Sequence, residues 1–199
     1  MRGCRAPPKM ILDRIGIFLG GTIIMKSLMI QDGIVMNAMI DHIPLEKRIV
    51  VAQGCVPNVR TQIPMDWPIG LTLHDAKGTA SEWANKLQYI ENNDTLLAGA
   101  HFFVDEQHIV QTLPVDEVSW QAGDDAGEGN HATIGIVLCG DISYEQAEQH
   151  TAYLCAALME TFALKALFTH EMWAGVNCPR KILERPKGWE DFVDKVARC

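Results

Sequence analysis

Positive charge is in short supply in this chain: 17 lysines and arginines stand against 25 aspartates and glutamates in 199 residues, a formal net charge of -8. No basic stripe with interleaved aromatics relieves that deficit, which argues against nucleic acid as a partner. Paired cysteines are missing as well. Cys4, Cys55, Cys139, Cys155, Cys178 and Cys199 form no CxxC pair. Cys139 lies in a strand-like run and Cys155 in a helix-like one, where a thiol serves as a small apolar group. A disulfide framework is therefore not expected, and folding in a reducing compartment is the default. The N-terminal apolar run, Ile15 to Met25, stops at Lys26 and is too short to span a bilayer. There are no internal repeats and no low-complexity tract. What remains is ordinary globular composition, 48% hydrophobic and 21% charged, at a length that fits one domain with a short extension.

The first 38 residues are expected to be that extension. Arg2, Arg5 and Lys9 followed by the apolar run imitate a secretory leader, but Asp13 and Arg14 interrupt it and no small-x-small cleavage site follows. A structured arm, a membrane signal, a poorly ordered tail and a start codon read too early (Met10, Met25, Met29, Met36 and Met39 would each permit a later one) all stay open. The domain proper is expected over 39–199.

From Met39 to Asp66, Pro44, Gly54, Pro57 and Pro64 suggest an irregular lead-in. Ile69 to Leu73 reads as a buried strand ending at His74. Thr79-Ala80-Ser81-Glu82 is a capping box opening a helix whose Trp83, Leu87 and Ile90 fall at helical spacing and which stops at Asn92-Asn93-Asp94. Ala100 to Val104 and His108 to Gln111 read as a hairpin, and Thr133 to Cys139 as a second buried strand. A second capping box, Ser143 to Gln146, opens a helix with Ala147, Leu154, Leu158 and Phe162 on its apolar stripe. Leu164 to Phe168 is a short strand leading into His170, and the last helix starts near Trp189 and buries Phe192, Val193 and Val196. This order predicts an α/β single domain with a central mixed β-sheet flanked by helices.

The stretch Thr169-His170-Glu171-Met172-Trp173-Ala174-Gly175-Val176-Asn177-Cys178-Pro179 sets an imidazole and a thiol eight residues apart across a turn. Both are good zinc ligands. His74, at the end of an apolar strand, offers a second imidazole. Two histidines and one cysteine would leave a fourth position for water, which separates a catalytic site from a closed structural one. Taken singly, His74 also suits a strand-end surface histidine and Cys178 an inert thiol.

Taken in order, His74 at a strand end, Ala100-His101-Phe102 with its hairpin, Trp120-Gln121-Ala122-Gly123-Asp124, Thr133-Ile134-Gly135-Ile136, and His170 with the loop to Cys178-Pro179 resemble the zinc-dependent N-acetylmuramoyl-L-alanine amidases of phage endolysins and bacterial autolysins. Peptidoglycan-recognition proteins share that fold. The resemblance spans about residues 65–197. It implies hydrolysis of the amide between the lactyl group of N-acetylmuramic acid and the first L-alanine of the stem peptide, with Zn2+ on His74, His170 and Cys178 and bacterial peptidoglycan as partner. It further implies a cytoplasmic lysin released to the wall at lysis, or a secreted one. His101, Trp120 and Trp173 are candidate substrate contacts, with core or cleft-wall packing as the alternative for each. His42, His108, His131 and His150 stand in polar or turn contexts and are expected to be solvated.

The sequence departs from that family where chemistry needs help. A glutamate common on the strand 134–138 is matched by Val137, a tyrosine before the hairpin histidine by Ala100, and a lysine before the ligand cysteine by Val176. Valine neither titrates nor donates a hydrogen bond. Asp75, Asp124, Asp125, Glu128 and Glu171 are the remaining carboxylates that could move a proton, Asp75 and Glu171 foremost. The alternative is a zinc-containing peptidoglycan-binding protein without turnover. A purely structural zinc domain would need a fourth protein ligand, and the sequence offers none well placed.

Overall fold

The computed structural model describes residues 27–53, 58–93, 97–140 and 143–199. Residues 1–26, which carry the leader-like run and the Met10 and Met25 starts, lie outside them. Among the described residues, no helix is long and apolar enough to cross a membrane.

Four short strands come first: β1 (Ile30–Gln31), β2 (Ile34–Val35), β3 (Met39–Ile40) and β4 (Ile43–Lys47). Then follow β5 (Gly70–Ala76), α1 (Ala80–Asn93), and the hairpin β6 (Phe102–Val104) and β7 (Ile109–Gln111). The second half holds α2 (Glu128–His131), β8 (Thr133–Cys139), α3 (Tyr144–Thr161), β9 (Leu167–Thr169), α4 (His170–Ala174), α5 (Arg180–Leu183) and α6 (Gly188–Arg198). Seven strands make one mixed sheet in the order β3-β4-β7-β6-β8-β5-β9. The β3/β4 and β6/β7 pairs are antiparallel and the others parallel.

Strand pleating divides the core in two. Leu71 and Leu73 of β5 and Ile134, Ile136 and Leu138 of β8 pack with Leu154, Leu158, Phe192 and Val196 from α3 and α6. On the opposite face, Val137 and Cys139 join Ala84, Leu87 and Ile90 of α1. The α1 capping box forms as written: Thr79 Oγ1 accepts from Glu82 N–H at 3.2 Å and Glu82 Oε2 accepts from Thr79 N–H at 2.8 Å. The second box does not. Ser143 precedes α3 without a side-chain cap bond, because its backbone (φ -101°, ψ 40°) leaves the extended region that aims a capping oxygen at the helix.

Two expectations about the N-terminal part are corrected. The folded unit begins ahead of residue 39, since Leu28 and Val35 are buried in the main core and Val35 N–H donates to Gln111 Oε1 at 2.9 Å. The supposed lead-in contributes β4, which pairs in parallel with β7. Ile43 and Leu45 point inward while Pro44 faces out, so the proline costs the strand nothing on its buried side.

Candidate functional site

Parallel register brings the two histidines together. β5 lies between β8 and β9, and Leu73 sits opposite Thr169, so the residues that follow, His74 on β5 and His170 at the start of α4, emerge side by side at the carboxyl edge of the sheet. That edge is where open α/β sheets bind ligands. Their ring centroids are 4.7 Å apart. Beyond β9 the expected loop contains a short helix. Thr169 Oγ1 accepts from Met172 N–H at 3.3 Å to start α4, and Gly175 ends it in the left-handed region at φ 70°. The chain then turns back so that Cys178 C=O accepts from Glu171 N–H at 3.1 Å. One ligand-type atom each from His74, His170 and Cys178 thereby falls within 4.8 Å of the others.

Burial depresses the His74 imidazole to about 3, with His170 pushing the same way and a hydrogen bond to Gln121 opposing. Desolvation also lowers His170, against the Ala122 carbonyl and the Asp124 charge. The Cys178 thiol is pushed up to about 11, chiefly by burial. At neutral pH both imidazoles therefore offer lone pairs, and the thiol yields its proton to a competing cation. Two nitrogens and one sulfur are a borderline-soft set that suits zinc with one coordination place left over.

The cluster opens into a pocket of about 250 Å³ walled by Trp83, Leu87, Ala100, Phe103, Trp120 and Val137. Val137 is paired with His74 across the β5/β8 ladder, and its side chain lines the pocket where a titrating group would be useful. Val176 is 44% exposed and lies outside the lining. Asp75 is the one carboxylate that lines the pocket among the described residues. It accepts from Lys181 N–H at 3.0 Å and lies 3.7 Å from Cys178 Sγ.

Several candidates fall elsewhere. Glu171, Asp125 and Glu128 are exposed and do not line the pocket. Asp124 accepts from the N–H groups of Gly129 and Asn130 at 2.7 and 3.1 Å, which ties it to the start of α2. His101 is fully buried, its Nε2 2.8 Å from the Glu117 carbonyl and its Nδ1 accepting from Gly135 N–H at 2.9 Å; it ties the Glu117 loop to strand β8 and cannot touch substrate. Trp173 stays outside the pocket, donating from Nε1 to Thr72 Oγ1 at 3.0 Å and packing on Phe168. Trp120 alone of the three substrate candidates lines it. Among the histidines expected to be solvated, His42 is exposed and His131 half-buried. His150 is buried with Nδ1 against the Asp105 carbonyl, and His108 is bonded to Asp105 and Ser81.

Gln121 and Asn130 carry no sequence signal that marks either one individually for the site. Gln121 Oε1 is 3.0 Å from His74 Nε2. Asn130 Oδ1 accepts from both Gln121 N–H and Ala122 N–H at 2.7 Å each, fixing the segment that faces the two histidines. Only spatial neighbourhood reveals either residue.

A mixed α/β domain with a His-His-Cys cluster of metal-ligand type at the carboxyl edge of its parallel strands, opening into a pocket, has the form of a hydrolase. The chain belongs to the N-acetylmuramoyl-L-alanine amidase family, whose model matches residues 65–181. It is 36% identical over 131 residues to the N-acetylmuramoyl-L-alanine amidase XlyA of Bacillus subtilis (strain 168), covering 63% of this chain and 43% of that protein. To the amidase CwlH of the same strain it is 34% identical over 137 residues, covering 65% of this chain and 53% of the relative. The chain thus spans about half the length of the curated relatives it matches. The solved catalytic domain of XlyA superposes with a TM-score of 0.68 at 28% identity, covering 77% of this chain and 99% of that domain.

Proposed function

We propose that this domain hydrolyses the amide between the lactyl group of N-acetylmuramic acid and the first L-alanine of the peptidoglycan stem peptide. The observation that carries the reading is the convergence of His74, His170 and Cys178 at the mouth of one pocket, in a chain of this family. In this reading the three side chains hold zinc, which supplies acidification of a water and polarisation of the scissile carbonyl. The neutral imidazoles and the single thiolate leave the loaded site with net positive charge, favourable for a developing oxyanion. Trp83, Leu87 and Phe103 form a dry wall that orients the substrate. Proton transfer falls to Asp75, the pocket's carboxylate among the described residues. The site of action is the bacterial cell wall, reached at lysis or by secretion.

A second reading, a zinc-containing peptidoglycan binder with little turnover, is favoured by one observation. Val137 and Ala100 put apolar groups on the pocket wall, and Asp75 is already engaged by Lys181 N–H. Zinc-replete protein incubated with muropeptides separates the two. Release of peptides with a free L-alanine amine, followed by mass spectrometry, is expected. No release above a His74→Ala control sinks the amidase reading and leaves the binder.

A further inference from the structure

The hydrogen bonds behind His74 run in one direction. Thr133 Oγ1 donates to the Gly129 carbonyl at 2.6 Å, so its proton is spent there. Its contact with Thr72 Oγ1 at 2.7 Å must then take the Thr72 proton, while Thr72 in turn accepts from Trp173 Nε1–H at 3.0 Å. The amide nitrogen of Gln121 meets acceptors only: the Gly129 carbonyl at 3.2 Å, the Thr133 carbonyl at 3.0 Å and Thr133 Oγ1 at 3.1 Å. Flipping the amide would set its oxygen against two carbonyl oxygens with no donor left to meet it. Oε1 is therefore held toward His74 Nε2, 3.0 Å away. Gly135 makes the room, since a β-carbon there would collide with that oxygen.

We infer that Gln121 is a positioning residue that locks His74 in its Nε2–H tautomer and presents Nδ1 to the metal. This rests on the zinc-site reading but extends it to a residue on the pocket wall that acts through His74 and not as a ligand. An acceptor-only oxygen can face that ring nitrogen only if it carries the proton, and the ring then has one lone pair, on the other side. Ala122, the next residue, turns its carbonyl to His170, and Asn130 Oδ1 holds the backbone of both. One dipeptide thus sets the aim of both imidazoles.

The test begins with metal-free protein, in which long-range nitrogen-15 NMR of the histidine rings reports the tautomer without metal or substrate. His74 is expected as Nε2–H in the wild type and as a mixture in Gln121→Leu. Zinc affinity, measured by competition with a chromophoric chelator, is expected to fall roughly 10- to 100-fold in Gln121→Leu. Thr133→Val is the control: it removes a buried partner of the Gln121 amide but leaves two carbonyls to orient it, so the tautomer stays and zinc affinity changes less than about threefold. Equal losses in both variants, or an Nδ1–H ring in the wild type, would overturn the inference. The wild-type spectrum decides the matter even if Gln121→Leu fails to fold. Neither measurement depends on amidase turnover, so a failed activity assay leaves this result standing.

Discussion

Acid should destabilise the metal-free domain in part through His101. That ring is fully buried, and desolvation holds it down at about 4 against hydrogen bonding and the charges of Glu117 and Asp116. The unfolded chain titrates at the ordinary 6.5, so below that pH it binds a proton that the folded state refuses. The stability contributed by neutral His101 is thus complete above pH 6.5 and is lost as pH falls from 6.5 toward 4. A gap of 6.5 minus 4 bounds the loss at about 3 kcal/mol, and about 2 kcal/mol of it lies between pH 7 and 5. The perturbation is His101→Gln, whose amide can still accept from Gly135 N–H and donate to the Glu117 carbonyl but does not titrate. Urea denaturation with chelator present, from pH 7 to pH 4.5, gives both curves. Other acid-sensitive groups, His74 among them, contribute equally to each and cancel in the difference. The variant is expected to be weaker at pH 7 and to converge on the wild type by pH 5. Parallel curves would refute the reasoning.

Three further expectations concern other parts of the molecule. Val137→Glu puts a carboxylate on the pocket wall beside His74; it should destabilise the metal-free protein by about 1–3 kcal/mol yet raise muropeptide turnover at least about tenfold, as rate assays on zinc-loaded protein would register. Zinc at about 100 times its dissociation constant should stabilise the folded domain by about 2.7 kcal/mol, and Cys178→Ser should shrink that gain in calorimetric melts. Thr79→Ala removes the α1 cap and should cost about 1 kcal/mol in urea titrations, with zinc affinity unchanged.

The parts of this fold legible in the sequence are those whose signals are local. Thr79 and Glu82 write both halves of a reciprocal bond within one turn, and the pairing forms as read. Ser143 has the same residue spacing, but a backbone torsion outside the extended region turns its hydroxyl away from the helix, and residue spacing does not encode that torsion. β1 to β4 escaped because two-residue strands carry no period, and Ile43 and Leu45 alone are too few to show alternation. His74, His170 and Cys178 stood out through chain order, and the register of β5 and β9 explains why the two histidines meet. His150 and Gln121 were opaque for the opposite reason. His150 pairs with a carbonyl 45 residues away, and the Gln121 amide is oriented by acceptors at 129 and 133 while it serves a ring at 74.

The three-residue strand β9 borders the sheet, with β5 as its one neighbour among the described residues. A strand so placed opens and recloses more readily than those inside, and its amides are expected to be among the first of the sheet to exchange with deuterium. His170 is the residue immediately after it and His74 projects from the strand beside it. An ion gripped by both would rivet this margin of the sheet to its interior. Loading would then appear as slowed exchange confined to residues 167–170 and their partners on β5, a footprint readable before any substrate is added.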